Sequence, residues 1–85
     1  MSHHETSFQG SIPDAIRDAI RAKIADAEIA VSGGGGHFTI EVVSPVFAGL
    51  GRVDAQRLVY GAIAHLMAGN DAPVHAVDTL KTRAP

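Results

Sequence analysis

The stretch HFTIEVVSPVFAGLGRVDAQRLVYGAIAHLM, from His37 to Met67, decides the fold. Its first seven residues alternate, with Phe38, Ile40 and Val42 set against Thr39, Glu41 and Val43, the period of two that is typical of a β-strand. Pro45 has no N–H to give to a neighbouring strand and therefore ends this element. Downstream, spacings of three and four predict a helix with one mostly apolar stripe, made of Val53, Gln56, Val59, Tyr60, Ile63 and Met67. A strand that feeds directly into such a helix predicts that the helix packs on the strand's own sheet.

A first helix is predicted to begin near Ser11. This serine suits an N-cap, Pro13 suits the first turn, and Asp14 adds a favourable negative charge there. The predicted buried face consists of Ile12, Ile16, Ala19, Ile20 and Ile24. After this helix, residues Ala27–Ser32 form a short apolar stretch that we expect to be an edge strand.

Four consecutive glycines, Gly33–Gly36, separate the two predicted strands and indicate a flexible hairpin connection. A phosphate-binding loop would need a strand, then glycines, then a helix, with a lysine after the glycines. Neither the order of elements nor the lysine is present, so the pattern does not predict a nucleotide site.

The last element is a strand predicted at Val74–Leu80, after a dense helix stop and turn at Ala68–Pro73. Simple alternation would place Val74, Ala76, Asp78 and Leu80 on one side and His75, Val77 and Thr79 on the other. Because a helix joins it to the central strand, the two strands should run parallel with a right-handed crossover. We therefore predict an α+β fold of order α-β-β-α-β: a three-stranded mixed sheet with helices on one face and an extra helical turn at Pro45–Leu50.

Length and composition predict one small domain. The chain has 85 residues, and we expect a disordered tail at 1–10, the folded domain at 11–82 and a short C-terminal end at 83–85.

The net charge of −2 does not indicate the clustered positive charge that nucleic-acid-binding modules usually carry. There is no cysteine, which excludes disulfides and thiolate ligands from this chain, and no apolar run or leader that predicts a membrane or export, so we expect a cytoplasmic protein.

Catalysis is not favoured by the sequence. Ser44 lacks the GxSxG turn of a nucleophile elbow, and Glu41 and Asp78 have no obvious partner carboxylate. A thin three-stranded sheet also offers little room for a pocket. The chain is therefore predicted to be a non-enzymatic module.

Two histidines stand at the starts of strands that are predicted to be parallel neighbours. His37 follows the glycines and His75 follows the Pro73 turn, so both should lie at the same end of the sheet. Neutral imidazole is a good ligand for iron, zinc and copper, but two histidines leave such a metal short of ligands, and a second molecule would have to supply the rest. The alternative is that each histidine only caps its strand by bonding loop backbone. His65, within the helix, is expected to be a surface or half-buried residue.

Several short motifs in this order resemble the signature of the BolA-like family. They are Phe38 with Val42-Val43-Ser44, Phe47-x-Gly49, Arg57-x-Val59-Tyr60 and Val74-His75-Ala76-Val77. The Ser32-Gly33…His37-Phe38 loop and the Gly51-Arg52-Val53…Gln56 helix start are most similar to its IbaG-type, acid-stress branch. The resemblance covers about residues 12 to 80.

The resemblance implies a fold of the class II KH type and a partnership with a monothiol glutaredoxin around a shared [2Fe–2S] cluster. The glutaredoxin would contribute its cysteine and a glutathione thiolate, and this chain would contribute His75, with His37 as its second ligand. No cofactor is expected on the isolated chain, and a homodimer of the free form is left open. The role implied is in iron–sulfur and iron homeostasis and in the stress response. The alternative is a KH-like, nucleic-acid-binding transcriptional regulator that uses Arg52 and Arg57, although Ala55-Gln56-Arg57 stands where the family often has Arg-His-Arg.

Overall fold

The computed structural model describes residues 11–85, and the predicted disordered tail at 1–10 lies outside the described residues. The elements are helix α1 (Ile12–Lys23), strands β1 (Glu28–Gly34) and β2 (His37–Val43), a 3₁₀ turn (Pro45–Gly49), helix α2 (Arg52–Met67) and strand β3 (Ala76–Arg83). This is the predicted α-β-β-α-β order, and the short helical turn after the second strand is confirmed.

The three strands form one mixed sheet with β2 in the centre. β1 pairs with β2 antiparallel and β3 pairs with β2 parallel, as predicted. Along β2 the side chains of Phe38, Ile40 and Val42 are buried, whereas Thr39 is exposed. Both helices cover the first of these faces, and the other face carries His37, Thr39 and Glu41.

Helix α1 follows its sequence signals closely. The Ser11 side chain accepts a hydrogen bond from the backbone N–H of Asp14 at 3.3 Å, which makes Ser11 the N-cap. Ile16, Ile20 and Ile24 are buried in the core. The predicted start and the predicted apolar face of this helix are both confirmed.

The predicted apolar stripe of α2 is wrong in part. Val59 and Ile63 are buried as expected, but Val53 is 59% exposed and Tyr60 is 38% exposed. The buried face is instead made of Ala55, Val59, Ala62, Ile63 and Leu66. The alanines belong to this face because their small side chains let the helix lie close to its neighbours, whereas the sequence pattern was weighted by the larger side chains.

The glycine segment is more ordered than the sequence predicted. Strand β1 continues to Gly34 and pairs with β2 as far as His37, so the predicted end at Ser32 is wrong. Only Gly35 and Gly36 form the connection, with φ values of 63° and 87°. A two-residue hairpin turn of type I′ requires positive φ at both central residues, and glycine adopts it without strain.

The bounds and the alternation of the last strand also differ from the prediction. β3 runs from Ala76 to Arg83 instead of from Val74 to Leu80. Its pairing with β2 shifts between Phe38 and Thr39, where Val77 and then Thr79 are the partners, so Asp78 is skipped. This bulge breaks the period of two, and Val77 and Leu80 both pack against the core although they are three residues apart.

Candidate metal-ligand rim

The two histidines singled out in the sequence lie at the same end of the sheet, as predicted. His37 is the Cα partner of Ala76 across β2 and β3. Gly36, the residue before His37, also joins the two strands: its carbonyl oxygen accepts hydrogen bonds from the backbone N–H groups of His75 and Ala76, at 2.8 and 2.9 Å. We call this end of the sheet, with His37, His75 and the Gly35–Gly36 turn, the histidine rim.

The His75 imidazole lies directly against Gly36. A Cβ added to Gly36 would overlap the His75 ring at Cδ2, so only a glycine leaves room for the ring in this position. At Gly35, in contrast, an added Cβ would meet nothing within 4 Å. His75 itself is exposed to solvent, although Val74 just before it is fully buried. A buried anchor thus fixes the backbone that presents an accessible imidazole.

The His37 side chain is held by one polar contact on the open face of the sheet. Its Nδ1 lies 3.1 Å from Oδ1 of Asp78, the residue at the β3 bulge. The side chains of His37 and Asp78 are 60% and 58% exposed, so the contact is accessible to water. Within residues 11–85 the other ring nitrogen, Nε2, has no hydrogen-bond partner.

The donors present fit a partial metal site that a second molecule must complete. Across residues 11–85 no group of three or more His, Cys, Asp or Glu side chains is arranged to hold a metal ion. Two exposed imidazoles at one rim are nevertheless suitable donors for iron. In the same segment no hydrogen bond joins either imidazole to loop backbone, so the strand-capping alternative has no contact to support it.

Asp78 and Gly36 were not predicted as parts of this rim. Simple alternation placed Asp78 on the side of Ala76 and Leu80; in the structure it stays on the side of Ala76, the partner of His37, whereas the bulge moves Leu80 to the core side. Gly36 was counted as one of four equivalent glycines, although its carbonyl and its missing side chain both serve His75. The only usable signal was that a histidine directly follows the glycines.

Arg52 and Arg57 do not converge. They are five residues apart on α2, which places them about 140° apart around the helix axis. Arg57 lies 4.0 Å from Asp54 in an exposed i,i+3 pair, whereas Arg52 lies beside Gln56, Lys81 and Arg83 in a shallow cleft. The two arginines therefore do not form one basic surface.

Ser44 has a structural role. It is fully buried, and its Oγ donates to Asp26 at 3.0 Å and accepts from the backbone N–H of Val46 at 3.2 Å. The latter bond caps the 3₁₀ turn that follows β2. The two carboxylates considered as catalytic candidates in the sequence are also paired: Glu41 lies 3.5 Å from Arg83, and Asp78 contacts His37.

In the part of the chain that the structure describes, no helix is both long enough and apolar enough to cross a lipid bilayer.

Comparison with known proteins gives one consistent result. The model of the family described as BolA-like protein matches residues 14–85. The acid stress protein IbaG of Escherichia coli (strain K12) is 34% identical over 70 residues, which cover 82% of this chain and 80% of IbaG.

Solved structures agree with the family match. A BolA protein homologue from Coxiella burnetii is 28% identical, with a TM-score of 0.73 over 89% of this chain and 94% of that one. BolA1 from Arabidopsis thaliana, at 20% identity, shares the fold with a TM-score of 0.75 over 91% of this chain and 95% of its own. The three-stranded mixed sheet and the matched family model lead to the same conclusion: this chain belongs to the BolA-like family.

Proposed function

We propose that this chain is a non-enzymatic module that binds a monothiol glutaredoxin and shares a [2Fe–2S] cluster with it. The observation that carries the proposal is the histidine rim, which brings His37 and His75 to one end of the sheet in a chain of the BolA-like family. The glutaredoxin cysteine and a glutathione thiolate would supply the ligands that this cysteine-free chain lacks.

The donor set suggests what such a module does. When imidazoles replace two thiolates on one iron of a [2Fe–2S] centre, the reduction potential rises. A cluster held in this way suits transfer or sensing better than storage. We propose a role in iron–sulfur homeostasis and the stress response, in a reducing compartment such as the cytoplasm where glutathione thiols are available.

The competing function is a nucleic-acid-binding regulator with a KH-like face. It would need a continuous basic surface. Arg52 has Lys81 and Arg83 beside it, but Arg83 pairs with Glu41 at 3.5 Å. Arg57 points elsewhere with Asp54 beside it, and the net charge is −2, so these side chains do not form one continuous basic surface. The cluster-sharing function is therefore the one that the geometry supports best.

The test is a titration of a reconstituted monothiol glutaredoxin [2Fe–2S] dimer with this protein, followed by visible circular dichroism. We expect a new spectrum that saturates at one copy of this chain per glutaredoxin. His75→Ala should abolish the change, because the imidazole against Gly36 is the better fixed of the two donors. His37→Ala should weaken or shift the spectrum less severely.

His65→Ala is the matched control, because it removes an exposed imidazole that lies on α2 and lines a cleft with α1. It should leave the titration unchanged. Far-ultraviolet circular dichroism of each variant separates loss of a ligand from loss of the fold. A wild-type chain that leaves the glutaredoxin spectrum unaltered would refute the proposal, as would a folded His75→Ala variant that behaves like wild type.

A further inference from the structure

We infer that Asp78 is a positioning residue that holds the His37 imidazole in one tautomer and leaves Nε2 as its ligating nitrogen. The inference rests on the proposed function, and it adds a residue that the family resemblance did not supply. Asp78 is not itself a ligand in this account.

The geometry comes from one contact. The Asp78 carboxylate oxygen lies 3.1 Å from Nδ1 of His37, across the β2–β3 pair. A carboxylate can only accept a hydrogen bond, so the proton of the neutral ring must be on Nδ1. The lone pair is then on Nε2, which has no hydrogen-bond partner within residues 11–85.

The register of β3 brings Asp78 to the open face beside His37, because Ala76 is the Cα partner of His37 and Asp78 lies two residues further on, on the same side of the strand. Val77 pairs with Phe38 and Thr79 pairs with Thr39, which leaves Asp78 outside the ladder between them. His37 and Asp78 therefore lie on the same open face of neighbouring strands, within hydrogen-bond distance of each other.

The chemical consequence follows the general behaviour of metal-bound histidine. Such a ring usually donates its second N–H to a carboxylate or carbonyl, which fixes its orientation and raises the basicity of the ligating nitrogen. His37 follows a two-glycine turn and its side chain is 60% exposed. Asp78 therefore orients the His37 ring, whereas the His75 ring is positioned by its packing against the Gly36 backbone.

The first test uses the protein without any metal. Long-range ¹H–¹⁵N correlation spectra, recorded at a pH where imidazole is neutral, report which nitrogen of His37 carries the proton. We expect the Nδ1–H tautomer in the wild type and in Asp78→Asn, whose side-chain oxygen can still accept. Asp78→Ala should shift His37 to the Nε2–H tautomer that unconstrained histidine favours. Asp18→Ala, which removes an exposed carboxylate from α1, should change nothing.

The second test measures the rate at which the complex with glutaredoxin loses its cluster to a chelator. Asp78→Ala should lose it about 10-fold faster than the wild type, and Asp78→Asn should stay close to wild type. A tautomer that does not respond to Asp78→Ala overturns the inference, and so does an unchanged rate of cluster loss. If the wild type binds no cluster, the proposed function fails, but the tautomer measurement on the metal-free protein still decides whether Asp78 positions His37.

Discussion

The close contact between Gly36 and His75 allows a sharp test of the histidine rim. The change is Gly36→Ala, and its matched control is Gly35→Ala. Both glycines have positive φ, at 87° and 63°, so both substitutions strain the backbone. Only the methyl group at position 36 would overlap the His75 ring, whereas the one at position 35 would point into open space.

The expected magnitudes follow from these two observations. A left-handed backbone costs an alanine about 1–2 kcal/mol, and the lower entropy of the unfolded chain offsets about 0.4–1 kcal/mol of this. Gly35→Ala should therefore lower the free energy of unfolding by about 1 kcal/mol. Gly36→Ala should cost about 1 kcal/mol more, because His75 is exposed and its ring can swing outward to relieve most of the overlap.

The assay combines urea unfolding with the glutaredoxin titration. Gly35→Ala should give the wild-type visible circular dichroism spectrum, whereas Gly36→Ala should lose it while remaining folded, because the His75 ring would be displaced from its position against residue 36. If Gly36→Ala gives the wild-type cluster spectrum, the argument that Gly36 positions His75 is refuted. Equal loss of the spectrum in both variants would show that the turn matters but the ring contact does not.

Two further predictions concern the fold. Ser44→Ala should lower the free energy of unfolding by about 1–2 kcal/mol, measured by urea unfolding, because the buried hydroxyl that caps the 3₁₀ turn is lost; a loss below about 0.5 kcal/mol would contradict this role. Ile63→Ala should lower the free energy of unfolding by about 2–5 kcal/mol, because Ile63 is fully buried. Val53→Ala on the same helix should lower it by less than about 0.5 kcal/mol, because Val53 is 59% exposed. Similar losses in the two variants would mean that the buried face of α2 is wrongly assigned.

The parts of the fold that the sequence predicted well are those in which large apolar side chains repeat with one clear period. β2 alternates through Phe38, Ile40 and Val42, and α1 repeats Ile16, Ile20 and Ile24, so both their type and their buried face were predictable. The parallel pairing of β3 followed from the intervening helix alone. These features depend on local periodicity and on the handedness of connections, both of which are contained in the sequence.

The errors have a different physical origin. In α2 the buried positions include Ala55 and Ala62, whose small side chains barely register in a pattern of apolar residues although close packing requires them. In β3 the bulge at Asp78 is a property of the strand pair and not of the strand alone. Periodicity along one segment cannot indicate either feature.

The same distinction holds for the histidine rim. The placement of His37 and His75 at one end of the sheet was predictable from the sequence, because the starts of two paired parallel strands lie at the same end of a sheet. The contacts that orient them, Gly36 against His75 and Asp78 at His37, depend on a tight turn and on the register between β2 and β3, and they became visible only in three dimensions.

The most direct test of the central claim is pulsed electron paramagnetic resonance on the reduced cluster, with ¹⁵N-labelled histidine in this chain and unlabelled glutaredoxin and glutathione. The account predicts ¹⁵N couplings of the strength given by directly ligated imidazole, reduced in His37→Ala, absent in His75→Ala and unchanged in His65→Ala. A complex that forms and carries the cluster but shows no ¹⁵N coupling from this chain would contradict the account.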